Sequence, residues 1–113
     1  MYLVLDNSDA FGTSVSGTST VWQANYIGCF VDSSNRDLPI VLSEYFSTQA
    51  SCNSLAAAGN YLYFGLQNGG ECWAGNSYGS QGSSASGCTT VCYANTAQVC
   101  GGPWSNSVFS VAR

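Results

Sequence analysis

Six cysteines in a 113-residue chain that has no histidine constrain this sequence more than any other feature. An even cysteine count fits three disulfides, and metal binding is the rival reading. The closest pair, Cys88 and Cys92, is spaced Cys-x-x-x-Cys, and no Cys-x-x-Cys pair or histidine stands ready to complete a zinc site. We therefore expect disulfides and no bound metal. Disulfides persist in oxidising surroundings, so the expected location is extracellular, secreted or at a cell surface. A chain of this length supports one domain with a modest core, to which covalent staples are a natural supplement. Which cysteines pair stays open at this point.

Charge narrows the partners. Arg36 and Arg113 are the only cations, set against six carboxylates for a net charge of -4, and charged residues make up 7% of the chain. Such a chain has no basic footprint for nucleic acid or for an anionic membrane. Solubility has to come from Ser, Thr, Asn, Gln and Gly, a surface suited to neutral polar partners such as sugars. Tyr2–Leu5 is too short for the apolar stretch of a signal peptide and Asp6 ends it, so secretion would imply a leader already removed. No run reaches the length of a membrane span, and membrane insertion by this chain is not expected. No Asn-x-Ser/Thr sequon occurs; the Ser/Thr clusters leave a glycoprotein with O-linked sugar open.

The chain divides in two. Residues 1–24 hold no cysteine and read as an extended Ser/Thr/Gly-rich N-terminal arm, with Gly12–Thr20 followed by Val21-Trp22. Such an arm is a flexible leader, or packs on its own domain, or adds as a strand to a neighbouring copy. Residues 25–113 read as the domain. Asn25–Asp32 predicts a first core strand, Ser33–Asp37 a polar turn, and Leu38–Leu42 an extended piece. Gln49–Ala58 predicts a helix with Thr48 as N-cap, Gly59 as its end, and Cys52, Leu55 and Ala56 facing the core. Tyr61–Phe64 and Glu71–Trp73 predict the arms of a hairpin around Asn68-Gly69-Gly70, because Asn and Gly take positive φ cheaply. Ser77–Gly87 reads as a surface loop, Gly102–Asn106 as a turn, and Ser107–Val111 as a closing strand with its apolar residues mostly on one face.

These pieces together resemble a known family. Tyr26-Ile27-Gly28-Cys29-Phe30-Val31-Asp32, Arg36-x-Leu38, Cys52 on a helix, Tyr63-Phe64-Gly65-Leu66-Gln67, Gly70-Glu71-Cys72-Trp73, Gly75-Asn76 and Cys100-Gly101-Gly102 are similar to the WSC domain, over Tyr26 to about Val111. That module occurs in fungal cell-wall stress sensors, some secreted oxidases and Kremen-type receptors. The resemblance implies an α+β fold related to the PAN/apple type, with one short helix over a twisted antiparallel sheet, and a non-catalytic role usually described as carbohydrate binding. The family usually carries eight cysteines; here Ala56 and Ala74 stand at two positions that the resemblance implies are bridged to each other. The remaining pairs it implies are Cys29–Cys88, Cys52–Cys72 and Cys92–Cys100.

Chemistry is sparse. Without histidine or lysine, with cysteines oxidised and with Asp6, Asp9, Asp32, Asp37, Glu44 and Glu71 scattered, the chain is not expected to be an enzyme or to hold a cofactor. Sugar binding needs flat aromatic faces with amide or carboxylate groups beside them. The carbohydrate-binding candidates are Trp73, Trp104, Tyr78, Tyr93 and Asn76, with Tyr45, Tyr63, Gln67 and Asn95 as further members of the set. Against them, Trp73 on a short strand reads more readily as a packed residue than a free one, one of Tyr63 and Phe64 belongs in the core, and Glu71 and Arg36 read as supports of the fold. Three functions follow: a glycan-binding module; a structural subunit of a fibre or sheath, a homo-oligomer assembling through residues 1–24; and a receptor-type protein-binding module, which would need an exposed apolar patch.

Overall fold

The computed structural model describes residues 25–113. The N-terminal arm expected over 1–24, with Trp22, Asp6 and Asp9, lies outside the described residues. In chain order the elements are β1 (Tyr26–Val31), β2 (Ile40–Ser43), α1 (Gln49–Ala58), β3 (Tyr63–Gln67), β4 (Glu71–Gly75), β5 (Val91–Cys92), β6 (Asn95–Val99) and β7 (Ser105–Ser110). Five strands form an antiparallel sheet in the order β1-β7-β3-β4-β2, and β5 and β6 form a separate hairpin. The fold is a small disulfide-stapled α+β module with one helix over an antiparallel sheet.

The helix begins where its cap dictates. Thr48 accepts from the Ser51 amide, and the Ser51 hydroxyl accepts from the Thr48 amide in return at 2.9 Å, a reciprocal capping box. Its end falls at Gly59, as expected, with the left-handed residue one position later. Gly59 is the C-cap but has an ordinary φ of -89°, and the left-handed residue is Asn60, at φ 63°. The Asn60 and Tyr61 amides donate back to the carbonyls of Ala57 and Ala56, which closes a Schellman motif. Cys52 and Ala56 are buried as expected, whereas Leu55 is 42% exposed and Asn53 takes the buried place. Asn53 is held there by two bonds with the main chain of Ala112, at 2.9 and 2.7 Å.

Cys52, Ala56, Phe64, Leu66, Cys72, Ala74 and Phe109 form the core between helix and sheet. Phe64 and Phe109, cross-strand partners, stack at 4.8 Å. β7 runs between β1 and β3 and buries both faces: Val108 and Phe109 point oppositely and are 0% and 1% exposed. The expected one-sided strand is thus a central one. β1, expected in the core, is an edge strand with exposed Tyr26 and Ile27. β3 starts at Tyr63, two residues later than expected, because Leu62 leaves the ladder to bond the Asn76 side chain.

Three disulfides staple the elements: Cys29–Cys88, Cys52–Cys72 and Cys92–Cys100, the pairs that the resemblance implies. The second ties α1 to β4, and the third closes the β5–β6 hairpin. Ala56 and Ala74 meet in the same core cluster, both fully buried.

Candidate functional site

The helix covers one face of the sheet, and side-chain alternation sends a different set of residues to the other. On β3 and β4, Phe64, Leu66, Cys72 and Ala74 face the helix, so Gly65, Gln67, Glu71 and Trp73 face away. Gly65 is a glycine for a reason of space: a Cβ there would lie 2.6 Å from Leu38. Leu38 is buried on that bare patch and anchors the β1–β2 connection across the face.

That connection delivers Arg36. Its Nη1 donates to Asp32 Oδ2 at 2.6 Å, and the Asp32 side chain is fully buried. Asp32 Oδ1 accepts from the Asp37 amide at 2.9 Å. With the Gln67 amide turned to satisfy its neighbours, its nitrogen donates to Asp32 Oδ2 at 2.9 Å and Asn106 Oδ1 at 3.2 Å. Its oxygen then accepts from Arg36 at 3.1 Å. The guanidinium is flanked by two indoles, 4.2 Å from the Trp73 ring centre and 4.8 Å from that of Trp104. This network joins the loop to β3, β4 and β7.

Trp104 occupies an unusual backbone position. It follows Pro103 in a turn closed by reciprocal Gly102–Ser105 bonds of 3.0 and 3.2 Å, and its φ is 51°. Positive φ at that turn position normally selects glycine. Phe46, also at positive φ (56°), is 68% exposed. A bulky side chain in this region costs about 1–2 kcal/mol, and at neither position does deep burial of the ring offset it.

A trough runs from the Trp73–Arg36 stack toward the β3–β4 turn. One part, about 310 Å³, is lined by Arg36, Val41, Glu44, Tyr45, Glu71 and Trp73. The next, about 290 Å³, shares Glu44, Tyr45 and Glu71 and adds Phe46, Asn68, Gly70 and Tyr93. Gly69, at φ 86°, lets the turn close, and its missing side chain makes room for the Tyr93 ring. Glu71 is held in place, accepting from Trp73 Nε1 at 3.1 Å and Asn68 Nδ2 at 3.2 Å. Each carboxylate oxygen keeps a lone pair for a further donor.

Of the sequence candidates, the structure brings Trp73, Trp104, Tyr93 and Tyr45 to this side of the molecule. Trp104 and Tyr78 line neither part of the trough: Trp104 borders it through its stack on Arg36, whereas Tyr78 packs edge-on between Phe30 and Tyr63, at 5.1 and 4.8 Å. Asn76 accepts from the Leu62 amide and Asn95 Oδ1 from the Ala97 amide, so both side chains serve local backbone. Gln67 is buried in the Asp32 network. Sequence reasoning missed Phe46, Glu44 and Asn68 as lining residues, although an aromatic pair Tyr45-Phe46 between a strand and a helix cap was a usable signal. Arg36 and Glu71, read as supports of the fold, do support it and line the trough as well. A smaller cleft of about 220 Å³ beside Tyr26, Gln49 and Phe109 contains none of the candidates.

Among the described residues no His, Cys, Asp or Glu gather to hold a metal, and no helix is long and apolar enough to cross a membrane. The WSC domain family model matches residues 26–102. Protein SLG1 of Saccharomyces cerevisiae is 35% identical over 98 residues, 82% of this chain and 25% of that protein. Xylosyltransferase oxt of Drosophila melanogaster is 32% identical over 91 residues, 74% of this chain and 10% of its own length. Glycerotoxin paralog 1 of Glycera tridactyla is 25% identical over 114 residues, 100% of this chain and 9% of its own. The chain thus spans a quarter or less of these curated relatives.

Proposed function

The chain belongs to the WSC domain family, and from that premise we propose that it is a non-catalytic module binding carbohydrate at a cell surface, wall or matrix, through the trough beside Trp73 and Trp104. The observation that carries this reading is the outward display of aromatic rings. Tyr45, Phe46, Tyr93 and Trp104 are 72, 68, 60 and 51% exposed, and two of them hold a backbone conformation that bulky residues avoid. Exposed strain of this kind is informative when the surrounding structure keeps it in place. Pyranose rings offer C–H faces to such aromatics, and the carboxylates of Glu44 and Glu71 and the amide of Asn68 are matched to their hydroxyls. Binding rather than hydrolysis fits because both oxygens of Glu71 already accept from Trp73 and Asn68, which fixes the group as an acceptor. An extracellular setting follows from the three disulfides of so small a domain.

The test is depletion of the protein from solution by a panel of insoluble polysaccharides, parent beside a Tyr45→Ala, Trp104→Ala double variant. Retention of the parent on at least one polysaccharide, and its loss in the variant, is the expected result. Equal retention of both would overturn the reading.

A second reading, a self-assembling subunit of a fibre or sheath, is favoured by β2. It is an edge strand, and its Ile40 and Val41, on opposite faces of the sheet, are 39 and 43% exposed. Residues 1–24 would be the adding strand in that case. Solution mass across a concentration series of the full chain decides it: polymers support the reading and a constant monomer rejects it.

A further inference from the structure

The trough has a sign. Its inner part carries the carboxylates of Glu44 and Glu71 among the rings of Tyr45, Phe46 and Tyr93, and no basic side chain lines it. Among the described residues the cations are Arg36 and Arg113; Arg36 lines the outer part of the trough beside the same two carboxylates, but the ion pair it makes is with Asp32. Arg36 is bound to Asp32 and stacked between Trp73 and Trp104. Arg113 donates to the Tyr61 carbonyl at 2.7 Å. Among the described residues neither Glu44 nor Glu71 is in a salt bridge, and the aromatic rings that line the inner part belong to the residue types whose π faces attract cations. The whole chain, at -4, adds to the same field and repels polyanions.

We infer that the occupant is a cationic amino sugar: a polysaccharide of hexosamine units with free amino groups, whose ammonium sits between Glu44, Glu71 and the aromatic rings. This rests on the carbohydrate reading and sharpens it. Neutral sugars meet only half of what the trough offers, because they leave its two carboxylates without a counter-charge. Uronate or sulfated sugars are opposed by it. N-acetylation of the hexosamine removes the positive charge while leaving the ring and its hydroxyls in place, and so isolates the electrostatic contribution.

The experiment is titration calorimetry with three soluble oligosaccharides of equal length, in mildly acidic buffer. They are a β-1,4-linked glucosamine oligomer, the same oligomer fully N-acetylated, and a neutral glucose oligomer of the same linkage. The proteins are the parent, a Glu44→Gln, Glu71→Gln variant, and an Asp6→Asn, Asp9→Asn control. The control makes the same change in net charge outside the described residues. Glutamine at 71 keeps an acceptor for Trp73. The expected result is binding of the free-amine oligomer about tenfold tighter than its acetylated form, from a cation–π contact plus partly exposed ion pairs. That preference should disappear in the Glu44/Glu71 variant, persist in the control and weaken with added salt. Three results overturn the inference. Equal or tighter binding of the acetylated or neutral oligomer would sink it while leaving the carbohydrate reading intact. A preference lost equally in the control would reduce it to bulk attraction. Binding of none of the three would remove both.

Discussion

The Arg36 guanidinium lies 4.2 Å from the centre of the Trp73 ring while its Nη1 is bound to the buried carboxylate of Asp32. One side chain therefore belongs both to the polar network that fastens the β1–β2 connection and to the wall of the trough. Arg36→Ala would leave Asp32 buried without its counter-charge. Removing one partner of a buried pair costs about 3–5 kcal/mol, and the 27% exposure of the Arg36 side chain places the expected loss at the lower end. Urea unfolding with the disulfides intact measures it. Arg36→Lys should recover only part, because an ammonium lacks the planar fork that reaches Asp32 and Gln67 while stacking on indole.

Phe46 reverses the usual ranking of alanine and glycine. Its φ is 56° and its side chain is mostly in solvent, so either substitution removes little packing. Alanine keeps the backbone penalty and glycine relieves it. Phe46→Gly should be more stable than Phe46→Ala by about 1 kcal/mol, and both should bind polysaccharide more weakly than the parent. Paired thermal melts and depletion assays test the two halves separately.

Trp104 should separate binding from stability in the other direction. Its ring is half exposed, and its contact with Arg36 contributes about 0.5–1 kcal/mol. Trp104→Ala is expected to shift the unfolding free energy by about that amount and to weaken polysaccharide binding about tenfold or more. Retention of full affinity would remove Trp104 from the site.

The absent fourth disulfide can be restored. Cys52 and Ala56 are one helical turn apart on the core face of α1, and Cys72 and Ala74 are successive core-facing positions on β4. These steps advance about 6 Å and about 6.6 Å, so a bridge at 56–74 would be the next rung beyond Cys52–Cys72. An Ala56→Cys, Ala74→Cys variant should show no free thiol after oxidative refolding. It should gain up to about 3 kcal/mol, the chain-entropy value for a short loop. One free thiol in either single variant is the control.

The helix and the β3–β4 hairpin were legible because their determinants are local. Thr48 caps, alanines propagate, Asn68 and Gly69 turn, and none of these depends on distant residues. The disulfide pairs became legible only through the family pattern. The outward Leu55 and inward Asn53 were not legible, since helical spacing ranks residues by hydropathy and Asn53 is chosen by the main chain of Ala112, 59 positions away. The same holds for the trough. Tyr45, Phe46 and Tyr93 of its lining and Trp104 at its border come from three separate loops, and only the packing of those loops reveals which aromatics gather there. Tyr78 and Trp104 looked alike in sequence, each an aromatic in a turn, and both are exposed, at 37 and 51%; what sequence did not show is that Tyr78 rests edge-on against Phe30 and Tyr63 while Trp104 stacks on Arg36.

The most direct measurement is a nitrogen–proton chemical-shift titration of the labelled protein with a soluble oligosaccharide of whichever polysaccharide retains it. The Trp73 indole N–H, bonded to Glu71, is a reporter inside the trough. The largest changes are expected on that indole and on the amides of Tyr45, Phe46, Asn68 and Tyr93, saturating together. Changes confined to the cleft beside Tyr26 and Phe109, with the Trp73 indole unmoved at saturation, would contradict binding in the trough.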